Sequence, residues 1–147
     1  MVFRKILVYL GLITLPHLSW ANDVHEYHLK NGLSLLVKED HRAPVVIAEI
    51  WYKVGSSYEP RGITGISHAL EHMMFRGTEK FAPGELEKKV AVNGGEQNAF
   101  TDSDFTAYYQ KFSADKLAIS FELEADRMRN LLLRSQDFAK EIQVVME

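Results

Sequence analysis

The sequence predicts an α+β fold in which an antiparallel sheet is flanked by helices, and three observations carry that prediction. Strand-like and helix-like segments both occur but do not alternate strictly, as a chain of βαβ units would require. Two polar turns, Asn31-Gly32 and Asp102-Ser103-Asp104, each join a pair of strand-like runs. Composition agrees: 147 residues, 46% hydrophobic and 25% charged, have the balance of a globular domain and exclude collagen, coiled-coil and low-complexity readings.

Taken in chain order, residues 1–21 read as a secretory signal peptide. Arg4 and Lys5 make a charged start, Ile6 to Leu15 an apolar stretch, Pro16 a break, and Ser19-Trp20-Ala21 a small-x-small cleavage site. The apolar stretch rises only about 15 Å as a helix, half of a hydrocarbon core, so it is too short to span. The mature domain is therefore expected over 22–147, in a periplasm or outside the cell. Tyr27–Lys30 and Leu33–Lys38 form a hairpin across Asn31-Gly32, a pair that supplies the positive φ angles of a type I′ turn. Val45–Val54, rich in Val, Ile, Trp and Tyr, is a third strand. Helical spacing runs over Thr64–Arg76 and stops at Gly77. Pro83 opens a second helix, closed by Asn93-Gly94-Gly95, and Glu96–Thr101 with Phe105–Phe112 make another strand pair. Leu117, Phe121, Ala125, Met128 and Leu132 recur at three or four, predicting a long amphipathic helix capped by Ser113. Ser135 caps the last helix, with Phe138, Ile142 and Val145 on one face and no stop signal before Glu147.

Within the Thr64–Arg76 helix lies His68-Ala69-Leu70-Glu71-His72. Its histidines and glutamate fall within about 100° of arc, so the three side chains face one way. Histidines one turn apart can put two imidazole nitrogens on one zinc and leave a coordination position for water. A carboxylate beside that water, Glu71, can take its proton during attack on a carbonyl while zinc stabilises the developing oxyanion. In this composition the pattern arises by chance at about 0.02 per chain, so the residues alone leave coincidence open. His25 and His28 point to opposite faces of a strand and His41 falls in a loop, which makes them poor ligands. The absence of cysteine excludes thiolate ligands, cysteine nucleophiles and disulfides, so a carboxylate is the natural third ligand, with Glu141 and Glu147 as candidates. Gly65-Ile66-Ser67-His68-Ala69 lacks the final glycine and strand-turn-helix setting of a serine-hydrolase nucleophile. A net charge of -3, more acidic still without Arg4 and Lys5, argues against nucleic acid as a partner.

Longer runs resemble a known family. Val54-Gly55-Ser56-x-x-Glu59 and Gly65-x-x-His68-x-x-Glu71-His72-Met73-Met74-Phe75-Arg76-Gly77-Thr78 are similar to the signature of the pitrilysin-type (M16) zinc metallopeptidases, the inverzincins. Gly94-Gly95-x-x-Asn98-Ala99-x-Thr101, Thr106-x-Tyr108, Glu124-Ala125-Asp126-Arg127-Met128 and Glu141-x-x-Val144-Val145-Met146-Glu147 resemble later blocks of that family in the same order. The likeness is strongest to bacterial two-domain members related to mitochondrial processing peptidase.

That resemblance implies a zinc-dependent metalloendopeptidase acting on peptides or unfolded protein segments, with Zn2+ as cofactor, His68 and His72 as ligands and Glu71 as general base. Its third ligand is a glutamate roughly 76 residues after the second histidine, which falls at about position 148. A supporting glutamate lies about seven residues, two helical turns, before that ligand, the place of Glu141. Glu147 then neighbours the ligand, or is the ligand itself if the spacing is one residue shorter. The resemblance also implies an incomplete N-terminal domain of the family, with Asn98, Ala99 and Thr101 on an edge strand to which a substrate peptide adds through its main chain. A second homologous domain or subunit closes the site in that family, in one chain, a homodimer or a heterodimer with a non-catalytic homologue, so a chain without it is expected to be a weak enzyme. The alternative is a non-catalytic peptide-binding or structural subunit, against which the intact His68, Glu71 and His72 weigh. Glu124, Asp126 and Arg127 are expected in helix-surface or packing ion pairs rather than in catalysis.

Overall fold

The computed structural model describes residues 24–146; the expected leader and Glu147 lie outside the described residues. The chain divides between Arg42 and Ala43 into two compact units. The first holds an antiparallel hairpin of β1 (Val24–His28) and β2 (Ser34–Lys38), in register from Val24 opposite Lys38 to His28 opposite Ser34. Its turn differs from the predicted type I′. Only Gly32 has positive φ, at 88°, while Asn31 stays at negative φ and its Oδ1 accepts the Leu33 N–H at 3.1 Å. Gly32 N–H donates to the Leu29 carbonyl at 2.9 Å and Leu29 N–H to the Leu33 carbonyl at 2.8 Å, the pattern of a three-residue loop with a glycine bulge.

The second unit contains β3 (Val45–Tyr52), α1 (Ile66–Met73), α2 (Glu85–Val92), β4 (Glu96–Thr101), β5 (Thr106–Ser113), α3 (Leu117–Asn130) and α4 (Ser135–Val145). Its strands form an antiparallel sheet in the order β3-β5-β4. Alternation in β3 turns Val46, Ala48, Ile50 and Tyr52 inward, opposite Phe112, Gln110, Tyr108 and Thr106 of β5. Leu86 and Val90 of α2 and Leu123 of α3 close over Phe112 on that side as the apolar core. Val45, Ile47 and Trp51 on the opposite side are about half exposed, so among the described residues the helices cover one face of the sheet.

Helix α3 carries a correction. The predicted apolar stripe is not its buried face: Phe121 and Met128 are exposed, whereas Ser120, Leu123, Glu124 and Arg127 are buried. Arg127, 1% exposed, lies against the adjoining rings of Phe75 and Tyr108, 5.2 and 4.4 Å from their centroids, and is ion-paired to Glu124. Gln110 donates from Nε2 to the same Glu124 oxygen and accepts the Ser120 hydroxyl at 2.5 Å. A polar network with partners can occupy the inner face and push the apolar residues out. Burial inside it pushes the Tyr108 phenol well above its ordinary value. The ion pair is thus a packing one, not a surface one. Two caps also differ, since Ser113 precedes a short 3-10 turn without capping it and Ser135 is the first residue of α4 rather than its cap.

Candidate active site

Helix α1 is shorter than predicted, and its placement starts before it. Gly55 allows the chain to touch the β4–β5 turn: a side chain there would put Cβ 2.1 Å from the Asp102 carbonyl oxygen. Ser56 and Ser57 N–H groups donate to the Asp102 and Ser103 carbonyls at 3.1 and 2.9 Å. Gly65, the α1 N-cap, has φ 91° and no side chain to cap with. Glu59 supplies the missing acceptor from outside the helix, taking the N–H groups of Gly65 at 2.8 Å and Ser67 at 2.9 Å. Those bonds, Ser67 first and Gly65 next, hold the Glu59 carboxyl below its ordinary pKa. Glu59 appears in the sequence motif without a role. A carboxylate shortly before a helix that begins on glycine is the signal that could have supplied one.

On this helix His68 and His72 bring their Nε2 atoms to 3.2 Å. Two nitrogens bound to one tetrahedral zinc at about 2.0–2.1 Å stand about 3.3–3.4 Å apart, so the pair fits that ion. Glu141 of α4 is 3% exposed and accepts the His72 Nδ1–H at 2.9 Å, which makes Nε2 the unprotonated nitrogen of His72, the form that can bind a metal in place of His68 Nε2–H. Arg76, a turn beyond His72, is ion-paired to the other Glu141 oxygen, and its own carbonyl receives Arg134 Nη1 at 3.3 Å. Sequence reading assigned no role to Arg76. Among the described residues no three metal-binding side chains converge, and Glu147 lies outside them.

Glu71 is half-buried beside the histidines, where the Thr101 hydroxyl donates to its Oε2 at 2.5 Å. Thr101 ends β4, which pairs only with β5, so among the described residues its other edge is open. Ala99 and Thr101 turn toward α1, while Asn98 is exposed and its Oδ1 accepts the Ala99 N–H at 2.9 Å. A cleft of about 560 Å³ runs between these elements, lined among others by Glu59, His68, Glu71, Ala99, Phe100 and Thr101. Paired imidazole nitrogens, a carboxylate and an open strand edge at one cleft have the chemistry that metal-assisted hydrolysis of a peptide would need.

Comparison with known proteins agrees with that class. Residues 34–147 match the family model described as Insulinase (Peptidase family M16), and the chain belongs to that family. It is 42% identical over 120 residues to the zinc protease PqqE of Helicobacter pylori, an alignment covering 81% of this chain and 27% of that protein. Bovine mitochondrial-processing peptidase subunit beta is 33% identical over 118 residues, with 80% of this chain and 24% of that one covered. A crystal structure of a protease from Helicobacter pylori superimposes with a TM-score of 0.80 at 38% identity, covering 84% of this chain and 30% of the other. The chain thus spans between 24% and 30% of these proteins' lengths.

Proposed function

We propose that this chain is the catalytic N-terminal part of a zinc metalloendopeptidase that cleaves peptides or unfolded segments. The observation that carries the reading is the convergence of the His68 and His72 Nε2 atoms at 3.2 Å with His72 Nδ1 held by buried Glu141. His68 and His72 would hold the zinc, with a further carboxylate at or just beyond Glu147. Zinc bound there supplies Lewis-acid polarisation of the scissile carbonyl and lowers the pKa of water. Glu71 accepts the proton of the attacking water at Oε1, the oxygen not occupied by Thr101, and returns it to the departing amine. The open edge of β4 aligns the peptide by main-chain hydrogen bonds, which gives broad sequence tolerance.

A second homologous domain or subunit closes the cleft in this reading, which the likeness to a mitochondrial-processing peptidase subunit beta supports. The Met1–Ala21 pattern supports export to a periplasm or beyond. The test is hydrolysis of quenched fluorescent peptides by the full-length protein, alone and with candidate partners. Chelator-sensitive cleavage abolished by Glu71→Gln is the expected result. Zinc binding without turnover would instead assign the chain to the non-catalytic, peptide-binding or structural class.

A further inference from the structure

We propose that Thr101 is a positioning residue for the base: its hydroxyl fixes which Glu71 oxygen is presented to the cleft, so strand β4 orients the base as well as offering an edge to peptide. The proposal rests on the reading of Glu71 as general base.

Hydrogen bookkeeping supports it. Thr106 has a single hydroxyl hydrogen, and it goes to the Val54 carbonyl at 3.0 Å, so the Thr106 hydroxyl does not compete as a donor to Thr101 at 3.4 Å. The Thr101 hydrogen goes to Glu71 Oε2, and an ionised carboxylate can only accept. Among the described residues this is the one hydrogen bond that restrains the Glu71 side chain. Without it, a glutamate on a cleft wall is free to rotate about its torsions. The donor's backbone is itself fixed. Thr101 pairs with Thr106 at the end of the ladder, Asp102 N–H donates to Phe105 carbonyl at 2.9 Å, and the Ser56 and Ser57 amides clamp the turn that follows. That clamp needs the absence of a side chain at Gly55. The segment entering α1 and the strand receiving peptide are therefore tied to one turn, and Thr101 transmits its position to the base.

The experiment compares Thr101→Val, which keeps the shape and loses the hydroxyl, with Thr101→Ser, which keeps the hydroxyl, in the full-length protein. Thr101→Val should lower kcat by about 10- to 100-fold with KM and zinc content unchanged. Thr101→Ser should stay within about 3-fold of the unsubstituted protein. A crystal structure of Thr101→Val should show the Glu71 carboxylate rotated away from its original position. A Thr101→Val kcat within about 3-fold, a raised KM at constant kcat, or an unmoved carboxylate would overturn the assignment. If Thr101→Val does not fold, Thr101→Ala against Thr101→Ser gives the same comparison. Failure of the underlying reading looks different: Glu71→Gln itself then leaves hydrolysis intact. If Glu71→Gln silences the protein while Thr101→Val leaves kcat unchanged, only the positioning role falls.

Discussion

The cleft wall formed by α1 and β4 and the interior between α3 and β5 both place charged side chains on helices, but they treat them oppositely. Between α3 and β5, Arg127, Glu124 and Gln110 are at most 4% exposed and bonded mainly to one another, with two aromatic rings against Arg127. On α1, His72 and Glu71 are half-buried; His72 Nδ1 is held by Glu141 and Glu71 Oε2 by Thr101, while His72 Nε2 faces His68 Nε2 and Glu71 Oε1 has no partner among the described residues. Bonding of the first kind defines a core, because a buried group without a partner is costly. The second kind orients a group while keeping an atom for chemistry. Where a side chain spends its hydrogen bonds therefore separates structure from function here better than its charge does.

Breaking the interior should have the largest effect. Arg127→Met leaves Glu124 buried without its cation and is expected to cost about 3–5 kcal/mol, read as a fall in the denaturation midpoint of the full-length protein. Adding Glu124→Gln should restore part of that loss, because the uncompensated charge goes. On the cleft side, Glu141→Gln should leave the fold intact and weaken zinc binding by about 10- to 100-fold, measured by competition with a chelator. Equal zinc affinity in that variant would mean that the His72–Glu141 bond serves packing alone.

The smallest effect expected is at Glu59. Its pKa is lowered in the folded state by the Ser67 and Gly65 amides, so its contribution is complete above the ordinary glutamate range and disappears as pH falls through the lower folded value. Stability of the unsubstituted protein should thus decline on acidification from about pH 6 to pH 3, and Glu59→Gln should flatten that limb. Denaturation midpoints across the range measure it. Glu122, on the surface, follows the same sign, its carboxyl pulled down to about 2 by Lys80 and then Lys89.

Legibility in the sequence followed the range of the interaction. Strand β4 was readable to the residue, and the shared face of His68, Glu71 and His72 followed from helical spacing. Helix α3 was readable as a helix but not by its face, since periodicity scores Phe121 and Met128 as core and has no term for a bonded Arg127. Turn chemistry at Asn31-Gly32 suggested one hairpin class and the side chain of Asn31 supported another. Contacts between distant segments were not legible from spacing. Glu141 lies 69 residues from His72 and was assigned through family resemblance, and the bond from Thr101 to Glu71 required the packed sheet.

The most direct test of the cleft is its metal content. Full-length protein purified without chelator should carry one zinc per chain, Glu71→Gln should carry the same amount, and His68→Ala and His72→Ala should each carry little or none. Zinc retained after loss of either histidine, or hydrolysis by zinc-free protein, would contradict the account.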